Sequence, residues 1–116
     1  YECLHKQGRR LADLRGAHIG MITAVYTTNW LDLGAYNEYL YTGWNSMQTA
    51  SCVAQFVGTK GPVLRVDTAC SSSLVATTTA DHDLRMRPRG SANMVQAVMN
   101  QNDPFGFVGL CQMGML

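Results

Sequence analysis

The residues best suited to chemistry lie in Val66-Asp67-Thr68-Ala69-Cys70-Ser71-Ser72-Ser73-Leu74-Val75, where one cysteine separates a β-branched run from a string of small, hydroxylated side chains. A thiol held at a bend can attack a carbonyl carbon and carry an acyl group as a thioester. Pro62 to Val66 reads as a short strand and the residues after Cys70 can open a helix, so the spacing predicts Cys70 on a sharp strand-to-helix turn. Unpaired amides and the positive end of the helix dipole at such a turn would favour the anionic sulfur, which is the attacking form.

The elements that must position this turn read as an α/β layer. Tyr1 to Leu14 is expected to be largely helical and broken near Gly8, with Arg15-Gly16 ending it before an apolar strand at Ile19 to Val25. Tyr26 to Asn29 should be loop, Asp32 to Tyr41 shows mixed spacing, and Met47 to Val57 predicts a helix that stops at Gly58. Cys70 should begin the third helical stretch. Its Ser71-Ser72-Ser73 and Thr77-Thr78-Thr79 are poor helix formers, so tertiary packing must hold it. Pro88 and Gly90 end it, and Met94 to Met99 is the next strand.

Composition narrows the other possibilities. A net charge of +1 with mixed signs gives no footprint for nucleic acid. Arg85, Arg87 and Arg89 around Pro88 read first as a solvated helix end, with an acidic partner as the alternative. Cys3, Cys52, Cys70 and Cys111 are widely separated, and His5, His18 and His82 do not flank them at zinc-ligand spacing, so no metal site is expected. Cys3, Cys52 and Cys111 read as small buried hydrophobes, and Met94, Met99, Met113 and Met115 as core packing. Gly106 and Gly109 lack the spacing of a nucleotide-binding fingerprint and read as turn residues. No apolar run is long enough to span a membrane. An intracellular thiol enzyme, cytoplasmic or organellar, fits this cysteine usage better than a disulfide scaffold.

The cysteine motif closely resembles the nucleophile motif of β-ketoacyl synthases, in the form carried by polyketide synthases and multidomain fatty acid synthases. Further residues carry the likeness: Tyr1-Glu2-Cys3-Leu4, then Leu14-Arg15-Gly16 leading into Ile19 to Val25, then Thr42-Gly43, Phe56-Val57-Gly58 and Lys60-Gly61-Pro62. Downstream, Asp103 to Leu110 and Gly114-Met115-Leu116 resemble the segment before that family's "SPDGRCK" stretch. The likeness covers nearly the whole chain, with the cysteine motif its most specific part.

The resemblance implies a thiolase-like α/β fold of two similar halves, of which residues 1–116 would be part of the first half, a partial β-ketoacyl synthase N-terminal domain. The chain opens without a methionine and stops at an apolar Leu116, which reads as an excerpt of a longer protein. A partial sheet of this kind would expose apolar faces that other segments should cover. By the same resemblance Cys70 would accept an acyl group from the phosphopantetheine arm of an acyl carrier protein, and the enolate of a decarboxylated malonyl group would attack the thioester. No cofactor would be bound directly. The Cys70 amide would donate to the thioester oxygen, since backbone donors aimed at developing negative charge stabilise acyl transfer. Decarboxylation in the family uses two histidines in "HGTGT" and "NIGH" motifs beyond this segment, so His5, His18 and His82 are assigned no catalytic role. This segment alone should not complete a condensation.

Two stretches depart from the family pattern. Cys52 and Gln55 stand where an arginine and a tyrosine are usual, in a segment that lies near the family's homodimer interface, and Gln96-Ala97 replaces a glycine-rich pair. A glutamine there needs a polar partner if buried. A non-catalytic ketosynthase-like partner is the alternative reading, but retention of Cys70 argues against it. A cysteine hydrolase ranks below both, because neither a papain-type "CGSC" nor a GxSxG elbow is present.

Overall fold

Apolar residues run almost without interruption along Ile19–Tyr26 (β1), the pattern of a strand covered on both faces. The computed structural model describes residues 2–26, 47–99 and 104–116 and places β1 at the centre of a three-stranded sheet. Its neighbours are β2 (Val63–Val66) and β3 (Ala92–Met99), both parallel to it, in the order β2-β1-β3. The register pairs Met21 with Val63 and Ala24 with Val66 on one side, and Ile19 with Ala92 through Tyr26 with Met99 on the other.

Successive side chains of β1 point to opposite faces, so each face receives its own helix. On one face Ile19 packs with Leu4, Leu14 and Val57. These come from α1 (Glu2–Lys6), α2 (Leu11–Leu14) and α3 (Met47–Val57). On the other, Ile22 and Ala24 pack against Ala76 and Ala80 of α4 (Ser72–Met86). The buried residues of α4 are Ser72, Ala76 and Ala80, four apart on one stripe, and their small size lets the helix lie close to the sheet.

Packing on the sheet, not its hydroxyls, must offset the weak propensity of α4. Thr77, Thr78 and Thr79 each donate to the carbonyl four residues back, at 2.8, 3.0 and 2.8 Å. Its far end is tied to the sheet by a polar cluster. The Asn93 side-chain amide donates to the Ala80 carbonyl at 2.9 Å and to the Asp83 carboxylate at 2.8 Å, while Arg87 donates to Asn93 Oδ1 at 3.3 Å. Asn93→Ala should lower the unfolding free energy by about 1 kcal/mol, the worth of a typical net hydrogen bond, because Asp83 keeps its pairing with Arg87. A urea titration would read this as a lower midpoint at unchanged slope; an unmoved midpoint would mean that the cluster does not fasten α4.

Several expectations hold. The break near Gly8, the helix 47–57 and the strand before Cys70 all stand where the sequence put them. α3 ends at Gly58, whose φ of 79° and N–H to Ala54 carbonyl bond of 2.8 Å form a left-handed helix stop. Tyr26 ends β1 rather than opening a loop. The rest of the expected loop, Asp32 to Tyr41 and Thr42-Gly43 lie outside the described residues. Gly106 and Gly109 are helical, not turn residues, because α5 (Phe105–Gln112) runs through both.

Candidate active site

β2 ends at Val66, and after Asp67 and Thr68 the chain tightens into a single 3-10 turn, Ala69–Ser71, before α4 begins at Ser72. Cys70 therefore sits in the turn just ahead of the helix rather than as its first residue. Its side chain is exposed. All three strands are parallel, so their C-terminal ends share one edge of the sheet, the edge at which ligands of parallel α/β sheets gather. Cys70 lies on that edge. It borders a cavity of about 380 Å³ with Ala24 from β1, Ala97, Val98 and Met99 from β3, and Leu110 from α5. Those partners are apolar, which suits a hydrocarbon segment beside the sulfur.

The backbone of the turn is strained at one residue and fastened around it. Ala69 has φ of 55°, the only non-glycine with positive φ among the described residues, a conformation that costs an L-residue about 1–2 kcal/mol. The Ser72 hydroxyl accepts from the Thr68 N–H at 2.8 Å and donates to the Ala69 carbonyl at 2.7 Å. The Ser71 hydroxyl bonds Thr68 from outside, to its carbonyl at 2.8 Å and its hydroxyl at 2.9 Å. The Asp67 carboxylate accepts from the Ala69 N–H at 3.3 Å and pairs with Arg65 at 2.9 Å. The amides of Thr68, Ala69, Ser71 and Ser72 are thus all engaged within the turn. The Cys70 N–H enters no hydrogen bond among the described residues.

Other residues singled out by the sequence fall elsewhere. His5, His18 and His82 are exposed, in α1, before β1 and in α4, and none lines the cavity. Arg85 pairs with Asp81 at 2.8 Å, and the hydrogen bond it donates there holds its guanidinium above its ordinary pKa. Arg87 pairs with Asp83 at 3.4 Å, so two of the three clustered arginines already have partners. Gln96 is half-buried and Ala97 exposed.

Two readings need correction. Cys3, Cys52 and Cys111 are exposed, not buried. Cys3 precedes the inward Leu4, Cys52 lies off the Ala50 and Ala54 stripe of α3, and no residue of α5 is buried. Met99, Met113 and Met115 are likewise exposed rather than core; only Met94 packs against the interior. Met99 falls beyond the part of β3 that α4 covers and borders the cavity instead.

Sequence reasoning read Ser72 only as a poor helix former, assigned Arg65 and Leu110 no role in the site, and placed Met99 in the core instead of at the cavity. Only Asp67 carried a readable signal, since an Asp two residues before an amide commonly caps a turn. Positive φ at an alanine has no sequence signature.

Comparison with known proteins places this geometry. The family described as "Beta-ketoacyl synthase, N-terminal domain" matches residues 1–116. The chain is 36% identical over 87 residues to the highly reducing polyketide synthase pspA of Penicillium soppii, covering 71% of the chain and 3% of that protein. It is 35% identical over 109 residues to the lovastatin nonaketide synthase mokA of Monascus pilosus, covering 85% of the chain and 4% of that protein. Among solved structures, the ketosynthase from module 6 of the bacillaene synthase of Bacillus subtilis 168 superposes on the whole chain with a TM-score of 0.77 at 26% identity, and the chain spans 20% of it. The thiolase-like fold expected from the sequence is that of this neighbour. Among the described residues no helix is long and apolar enough to cross a membrane. The chain belongs to the β-ketoacyl synthase family, a family of condensing acyltransferases, and carries N-terminal-domain sequence of the polyketide synthase kind.

Proposed function

We propose that residues 1–116 are part of a ketosynthase domain in which Cys70 is the acyl-accepting nucleophile. The observation that carries this reading is an exposed thiol, next to its own residue's amide, which is unpaired among the described residues, at a mostly apolar cavity on the C-terminal edge of a parallel sheet. The Cys70 sulfur attacks the carbonyl carbon of an acyl thioester on the phosphopantetheine arm of an acyl carrier protein. Negative charge develops on the carbonyl oxygen, where the Cys70 N–H is the donor supplied by this chain. Collapse expels the pantetheine thiolate and leaves the acyl group on Cys70. Carrier-bound malonyl then loses carbon dioxide, and the resulting enolate carbon attacks the Cys70 thioester. The new carbon–carbon bond gives a β-ketoacyl carrier and returns the Cys70 thiolate. The decarboxylating histidines belong, by family likeness, to sequence after this segment.

No cofactor is bound directly in this scheme; the pantetheine arm arrives with the carrier. Two copies of the full-length protein pair as a homodimer. Supporting that pairing, the face of α3 that carries Cys52, Gln55 and Phe56 is exposed, in the segment the resemblance assigns to the dimer contact.

The full-length protein, supplied with acyl- and malonyl-loaded carrier, should release one carbon dioxide for each β-ketoacyl product. Release of free carboxylic acid without carbon–carbon bond formation would overturn this reading in favour of a hydrolase.

A further inference from the structure

The hydroxyls of Ser71 and Ser72 grip the same turn from opposite sides, but only one of them is shielded. Ser71 is exposed, so water can replace its bonds to Thr68. Ser72 is only 5% exposed, and its hydroxyl is both acceptor and donor, spanning from the Thr68 N–H to the Ala69 carbonyl. Those two bonds bracket the residue with φ of 55°, whose geometry turns the next peptide, and so the Cys70 N–H, away from the bonds that occupy its neighbours. Without them no other buried hydrogen bond among the described residues opposes relaxation of Ala69 toward negative φ, which would swing that peptide plane.

We infer that Ser72 is a positioning residue for acyl transfer: its buried hydroxyl holds the strained Ala69 peptide so that the Cys70 amide stays aimed at the thioester oxygen. Ser72 borders the same cavity, but the hydrogen bonds of its hydroxyl go to Thr68 and Ala69. It acts through the Cys70 N–H, and the inference rests on the nucleophile reading above. It also explains a serine at the start of a helix where alanine would propagate better, because its hydroxyl faces back into the turn instead of outward.

The distinction from a structural role lies in which reaction of Cys70 suffers. Thioester acylation develops an oxyanion, whereas alkylation by iodoacetamide does not. In the full-length protein Ser72→Ala should slow acylation of Cys70 by an acyl-pantetheine thioester about 100-fold, the scale of losing one oxyanion donor, while iodoacetamide alkylation stays within about twofold. Ser72→Thr, which keeps the hydroxyl, should recover most of the acylation rate. Equal losses in both reactions would reduce Ser72 to a structural role and overturn the inference, as would an unchanged acylation rate. Absence of acylation at Cys70 in the unsubstituted protein would instead overturn the nucleophile reading.

Discussion

Cys70→Ala in the full-length protein should lower the condensation rate by about 10⁴–10⁶-fold, the range seen when a covalent catalyst loses its nucleophile, and leave the fold intact. The large effect follows from the absence of a substitute. Among the described residues no other cysteine borders the cavity, and Cys3, Cys52 and Cys111 lie on α1, α3 and α5, facing solvent. The small structural effect follows from exposure: the Cys70 side chain is not part of either hydrophobic cluster, so its removal should change unfolding free energy by no more than about 0.5 kcal/mol. Steady-state assays and a urea titration on one preparation separate the two. Condensation within tenfold of the starting rate would place the nucleophile elsewhere.

Gly61→Ala should destabilise the protein by about 3 kcal/mol or more, although it adds one methyl group. Gly61 runs against the backbone at the start of β1, so close that a Cβ would overlap the Ile19 carbonyl and the Gly20 amide. Neither chain can step aside cheaply. On one side of Gly61 the Lys60 N–H donates to the Ala17 carbonyl at 2.9 Å, and on the other the Met21 N–H donates to the Pro62 carbonyl at 2.8 Å. These bonds fix the point at which β2 joins β1, hence where β2 ends and where the Cys70 turn begins. Relieving the overlap means losing them or slipping the register, and a one-residue slip turns every β2 side chain to the wrong face. Urea unfolding gives the cost directly. A change under about 0.5 kcal/mol would show that the two strands approach less closely than described.

Local chemistry made much of this legible from sequence. The helix at 47–57 could be read because Gly58 stops it, and the strand before Cys70 because Pro62 and the β-branched residues leave little else. The proposed nucleophile, Cys70, stood out because a cysteine between a strand pattern and a small-residue run has few structural uses. What escaped detection depends on contacts between distant segments. Met99 and Leu110 come to border the same cavity as Cys70 only once β3 has paired with β1 and the chain has continued into α5. Ser72 looked like a weak helix former; its buried bonds to Thr68 and Ala69 are what give it a use. The misplaced cysteines and methionines share one cause. Composition says such side chains prefer the interior, but this sheet has few covered positions, so Cys3, Cys52 and Cys111 on α1, α3 and α5, Met99 at the end of β3, and Met113 and Met115 after α5 all stay exposed.

The most direct test of the central claim is to locate the acyl group. The full-length protein is incubated with a short acyl-pantetheine thioester, digested, and its peptides weighed before and after neutral hydroxylamine, which cleaves thioesters. The account requires the added acyl mass on the peptide containing Cys70, its removal by hydroxylamine, and no adduct on that peptide in Cys70→Ala. An adduct that persists in Cys70→Ala, or that maps to Cys3, Cys52 or Cys111, would contradict it.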